Sequence, residues 1–125
     1  MKSVQLTKSP ELLFLHLKRF RTYQKEDKFF RERIDTTVNF KTEKPFKFTK
    51  VFAKAISAPT LVDPEKYEIR GVVQHKNSNS TGSGGHFTCV LYDWEAKEWW
   101  RFDDSRVNEV KDIAEVFKDS YILVY

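Results

Sequence analysis

The chain holds three histidines and a single cysteine, and of these His86 has the most suggestive surroundings. It follows Gly84-Gly85 at the head of an apolar run, where the lack of side chains lets a substrate chain come close to an imidazole. Asp103 and Asp104 come seventeen and eighteen positions later. A hairpin turning near residue 96 would set His86 opposite about residue 104, so a carboxylate beside the ring is the natural outcome. Such a carboxylate fixes the ring tautomer and stabilises imidazolium, leaving the other nitrogen to activate a thiol or hydroxyl. Neither residue attacks anything by itself, and the same spacing also suits an ordinary hydrogen bond between neighbouring strands.

The nucleophile is the open question. Cys89 lies three residues after His86. Residues three apart on one strand point to opposite faces, about 10 Å apart along the axis, so the thiol and imidazole are not expected to meet. A buried, inert thiol is the expected state of Cys89. His75 and His16, set in apolar strand-like runs, read as structural. One cysteine excludes an internal disulfide and cannot supply the paired ligands of a structural zinc site, so neither metal nor cofactor is expected.

The elements that must hold these groups follow from periodicity and from turn residues. Residues 11–20 form an apolar run of strand length, expected to be buried. Residues 23–33, almost wholly charged around Phe29-Phe30, read as an exposed hairpin loop. Residues 34–40 alternate as a half-buried strand does, and Phe48, Val51, Phe52 and Ala55 fall at helical spacing among three prolines. Residues 67–75 read as a strand, 76–85 as a polar loop, and 86–94 with 98–102 as a hairpin around Glu95-Ala96-Lys97. Val110, Ile113, Ala114 and Phe117 mark one face of a helix over 110–118, and 120–125 closes as a strand. The expected fold is α+β: a mainly antiparallel sheet with one or two short helices, in a single domain or half-domain over residues 1–125.

Composition narrows the function. The formal charge of +4 invites a nucleic-acid reading, yet 22 basic residues interleave with 18 acidic ones, as on an ordinary solvated surface. Neither a nucleic-acid partner nor a membrane partner is expected. No run approaches the roughly 20 apolar residues that cross a bilayer, and the opening residues lack the apolar core of a signal peptide. An intracellular setting, in cytoplasm or nucleus, is the expectation.

Five boxes in order carry something more specific: Leu15-His16-Leu17-Lys18-Arg19-Phe20; Tyr67 to His75; Gly84-Gly85-His86-Phe87-Thr88; Trp100 to Val107; and Ser120 to Tyr125. Together they resemble the C-terminal half of the ubiquitin-specific protease family. The resemblance implies the palm of a papain-like fold, with His86 as base, Asp103 as the residue that orients it, and Asp104 as a neighbour aiding the transition state. It also implies that residues 76–85 and 23–33 close over the ubiquitin tail, with Gly82, Ser83, Gly84, Gly85 and Phe87 along its channel. Phe87 stands where the family usually has Tyr, which keeps the ring and loses the hydroxyl.

The family's nucleophilic cysteine belongs to a box upstream of the first strand, and that box is missing here, as are the cysteine pairs of its fingers. Three readings stay open. The chain is half of a deubiquitinase, partnered by a Cys-bearing N-terminal half and acting on ubiquitin or a ubiquitinated protein; or a ubiquitin-binding module without activity; or a basic nucleic-acid binder. A palm by itself would expose an apolar face, with marginal stability or self-association.

Overall fold

The computed structural model describes residues 10–38, 46–47, 66–77 and 84–125. Its centre is a six-stranded antiparallel sheet of β1 (Phe14–His16), β6 (Gly71–Asn77), β7 (Gly85–Asp93), β8 (Glu98–Asp103), β9 (Arg106–Val110) and β10 (Ser120–Val124), in the order β1-β10-β6-β7-β8-β9. Two smaller pairs accompany it: β2 (Phe20–Lys25) with β3 (Lys28–Arg33), and β4 (Phe46–Lys47) with β5 (Lys66–Tyr67). One helix occurs among the described residues, α1 (Ile113–Phe117).

Strand alternation decides which side chains make the core. Leu15, Leu123, Val72 and Val90 are cross-strand partners in one row, and Leu123, Val72 and Val90 are no more than 1% exposed. Val116 and Phe117 of α1 and Val110 complete this cluster, which also takes in Tyr67, Ile69 and Tyr125. The helix is tied down by polar contacts as well. Asp112 caps its first turn by accepting from the Ala114 N–H. The buried Gln74 amide donates to the carbonyls of Glu115, Val116 and Lys118, the helix-end groups that lack partners within the helix. The opposite face carries Phe14, Phe87, Leu91, Phe102 and Val107, all exposed.

Several elements depart from the sequence reading for physical reasons. The run over 11–20 forms β1 and, at Phe20, the start of β2; because β1 is an edge strand, Leu12 and Phe14 stay exposed. Residues 34–38 make no strand. The carbonyls of Ile34 and Thr36 instead accept from the guanidinium of Arg19, which also bonds the backbone and side chain of Ser120 and is 4% exposed. The stretch over 67–75 divides into β5 and β6, with residues 68–70 linking them. Strand β9 has no signature in the sequence, since four of its five residues are exposed and it lacks an apolar face. Helix α1 is shorter than 110–118: Val110 ends β9, and of the expected face Phe117 is buried within the helix while Val116 is buried in place of Ile113 and Ala114.

The charged segment over 23–33 is a hairpin with a two-residue turn at Glu26-Asp27, both at positive φ, the geometry that matches strand twist. Tyr23 and Phe30 stack across it, and Phe29 is 75% exposed. The helical spacing at Phe48, Val51, Phe52 and Ala55 lies outside the described residues, as do residues 39–40 of the alternating stretch. Leu123→Ala is expected to destabilise the chain by about 2–5 kcal/mol, the range for a buried leucine whose site cannot collapse. Leu12→Ala, at an exposed position, should stay within about 0.5 kcal/mol in the same urea titration.

Candidate active site

Strands β7 and β8 pair with Asp93 opposite Glu98 at one end and Cys89 opposite Phe102 at the other. His86 lies three residues before Cys89, and Asp103 one residue after Phe102. By alternation both leave the face of Cys89 and Phe102 and meet on the other. There His86 Nε2 is 2.5 Å from Asp103 Oδ1. Extending the same register would set residue 105 opposite the ring, one beyond the expectation from sequence. Because β8 stops at Asp103, that carboxylate reaches the imidazole as its diagonal neighbour.

Asp104 occupies the turn between β8 and β9 with φ of 51°, a left-handed conformation that aspartate tolerates. Its carboxylate is 84% exposed and its Oδ2 lies 4.0 Å from His86 Nε2, beside the ring but outside hydrogen-bond range. The ligating atoms of His86, Asp103 and Asp104 all fall within 4.8 Å of one another, so these three are also the residues that could share a divalent cation.

The hydrogen bond from Asp103 is the largest influence raising the His86 pKa, and the charges of Asp103 and Asp104 add to it. Lys76, the cross-strand partner of His86 in β6, opposes it. The same bond holds Asp103 below the usual carboxylate range, helped by Lys76 and Arg106. An ionised carboxylate only accepts, so Nε2 carries the hydrogen and Nδ1 keeps its lone pair. The arrangement is an oriented imidazole with one nitrogen able to take a proton.

Gly84 and Gly85 precede His86 at φ of 88° and 158°. A Cβ on Gly85 would collide with Nε2 of His75, so this step requires glycine. Gly82 and Ser83 lie outside the described residues. Phe87 is 54% exposed but on the face away from His86, with its ring 4.5 Å from that of His75 and 5.7 Å from that of Tyr121. Cys89 is half-buried on that same face, and burial raises its pKa, which leaves it a poor thiolate.

His75 is buried, as a structural residue should be, yet its Nδ1 has no hydrogen-bond partner. His16, expected within a buried strand, is exposed on edge strand β1 and packs edge-on against Tyr121. Sequence reasoning misses Lys76 by placing it in a loop. The signal is the unbroken ladder of β6 with β7, from Gly71 opposite Leu91 to Asn77 opposite Gly85, which polar residues at its end do not stop.

The sign of the histidine shift gives a test. A raised pKa means that the charged pair stabilises the fold at pH below the ordinary histidine value and that this contribution disappears as pH rises through the raised one. For Asp103 the contribution is present above the ordinary carboxylate value and disappears as pH falls through the lowered one. Asp103→Ala should therefore lower the His86 pKa, read from its imidazole proton shifts by NMR. An unchanged titration would contradict the contact.

Comparison with known proteins agrees with this architecture. The chain is 31% identical over 99% of its length to ubiquitin carboxyl-terminal hydrolase 12 of Saccharomyces cerevisiae, of which it spans 9%. It is 32% identical over 99% of its length to ubiquitin carboxyl-terminal hydrolase 9 of Arabidopsis thaliana, spanning 12% of that protein. It is 28% identical to ubiquitin hydrolase B of Dictyostelium discoideum, spanning 24%. The chain thus covers a quarter or less of these relatives.

Among solved structures, 93% of the chain superposes on 23% of a chain in the SAGA Ubp8/Sgf11/Sus1/Sgf73 DUB module, with a TM-score of 0.67 and 24% identity. The same module bound to ubiquitin aldehyde gives 0.66 over 24% of that chain, again at 24% identity. The fold is the palm part of a papain-like cysteine protease. The model of one family, described as ubiquitin carboxyl-terminal hydrolase, matches residues 2–125, and the chain belongs to that family.

Proposed function

We propose that this chain supplies the base and its orienting carboxylate to a deubiquitinating cysteine protease centre, whose thiolate comes from a Cys-bearing half of the catalytic domain. The observation that carries the proposal is the 2.5 Å contact of Asp103 with Nε2 of His86, which leaves Nδ1 as the nitrogen that takes a proton. The substrate is ubiquitin or a ubiquitinated protein, and the bond cut is the one after the terminal glycine of ubiquitin. Family membership and a likeness to a module that also exists bound to ubiquitin aldehyde support this substrate class.

Nδ1 takes the thiol proton as the sulfur attacks the carbonyl carbon, and the tetrahedral adduct then expels the lysine amine, which receives the proton from the imidazolium. A water deprotonated at the same nitrogen hydrolyses the thioester. Asp103 holds the ring throughout and stabilises its charged form. Gly84-Gly85 admits the slender glycine tail beside the base, and the β2–β3 hairpin closes over that tail. Asp104, beside the ring but outside hydrogen-bond range, is assigned an auxiliary role at the transition state. The reaction is assigned to the cytoplasm or nucleus, where a free thiol stays reduced.

A second reading, a module that holds ubiquitin without cleaving it, is favoured by one observation: Cys89 has a raised pKa and faces away from His86. The two readings part on one experiment. With the Cys-bearing half supplied in trans, the chain is expected to hydrolyse a ubiquitin C-terminal amide. His86→Ala should lower kcat/KM by about 10²–10⁴-fold, the usual contribution of a general base. Cys89→Ala should leave the rate as it was. Binding of ubiquitin with no hydrolysis in the presence of that half would favour the second reading, and full activity of the His86 variant would remove the proposed base.

A further inference from the structure

The reaction needs His86 aimed, and the backbone that aims it is a pair of glycines with no side chains to anchor it. What supports this step is on the far face of the sheet. Gly85, Phe87 and Cys89 direct their Cβ positions to the face opposite His86, and His75, paired with Phe87, shares that face. A Cβ on Gly85 would collide with His75 Nε2 and lie 2.7 Å from its Cε1, so the ring fills the space a Gly85 side chain would need.

The ring itself has little freedom. It is 6% exposed and is boxed in by Phe87 at 4.5 Å between centroids, Phe20 at 5.5 Å and Tyr121 at 5.8 Å. The His75 backbone N–H donates to the Asp119 carbonyl at 2.9 Å, outside the β6–β7 ladder. Phe20 of β2 and Tyr121 of β10 come from segments distant in sequence, so the ring is held from two further strands while it bears on one glycine. Burial and the nearby Arg33 lower the His75 pKa, which favours the neutral ring.

We infer that His75 is a positioning residue for His86: its ring is the floor on which Gly85 rests, and so it sets the backbone direction from which the base projects. The inference rests on the role proposed for His86. A five-membered ring suits the site, because a six-membered one reaches further and would lift Gly85. A small side chain would leave Gly85 unsupported. In either case His86 and Asp103 lose alignment while the core row of Leu123, Val72 and Val90, on the other face, is untouched.

The test is made on the 125-residue chain and does not depend on hydrolysis. In the wild type, His75 ring protons should show nuclear Overhauser contacts to the Gly85 α-protons; their absence overturns the inference without any variant. In His75→Ala, the His86 pKa is expected to fall toward its ordinary value while the amide spectrum of β8, β9 and β10 persists. His75→Asn serves as a second variant if alanine does not fold, and His75→Phe should misalign the base from the other direction. A folded variant in which His86 titrates as in the wild type refutes a positioning role.

In the completed protease, His75→Ala should lower kcat about tenfold with KM little changed, the pattern of a misaligned catalytic group. If His86→Ala proves harmless to hydrolysis, the functional reading falls, whereas the link between His75 and the His86 titration is judged separately.

Discussion

The register between β7 and β8 is the constraint on which the site depends. With Cys89 opposite Phe102, alternation sends His86 and Asp103 to one face and Cys89 to the other. A slip of one residue in either strand would separate imidazole from carboxylate and expose Val90 in the same movement. The apolar rows and the dyad therefore specify one alignment together. The loop at residues 94–97 reinforces it, since Asp93 Oδ1 accepts from the backbone N–H groups of Glu95 and Ala96 and Lys97 takes the positive φ that turns the chain.

Much of this is legible in the sequence because it is local. The hairpin around residue 96, the closing strand and the pairing of a histidine with a carboxylate follow from period-two alternation and short connections. The separation of Cys89 from His86 needs only strand geometry. What escapes depends on partners far along the chain. Arg19 sits in a run legible only by its apolar residues, and its partners Ser120, Ile34 and Thr36 are not its neighbours in sequence. Strand β9 has the composition of a loop and is a strand because β8 lies beside it. The buried face of α1 cannot be read from helical spacing, since five residues make little more than one turn. His16 has an apolar setting in sequence and a wet one in space, because edge position, which decides exposure, is a property of the sheet.

The polar interior joins elements in the same way. Gln74 gives its amide hydrogens to the end of α1 and accepts from Thr88 through its carbonyl oxygen, so a residue in the strand beside the base also holds the helix. Arg33 bridges Asp119 and Asp35, which ties the root of the β2–β3 hairpin to the turn ahead of β10. Together with Arg19 these contacts join the hairpin to the sheet by charge and hydrogen bonding, beside the packing of Phe20 on His75 and Tyr121.

Strand β10 is the last of these strands in chain order yet lies between β1 and β6, and its first residue receives the Arg19 guanidinium. During synthesis, β6 to β9 can pair as they emerge, each with its predecessor. The edge of β6 and the first strand must wait until the ribosome has delivered Ser120 to Val124, and the interior cannot be sealed before then. A nascent polypeptide stalled ahead of these five residues would carry the entire dyad on an open, half-wet sheet, whose bare edge invites mispairing with other chains. The placement of one strand thus ties competence to the arrival of residues 120–124.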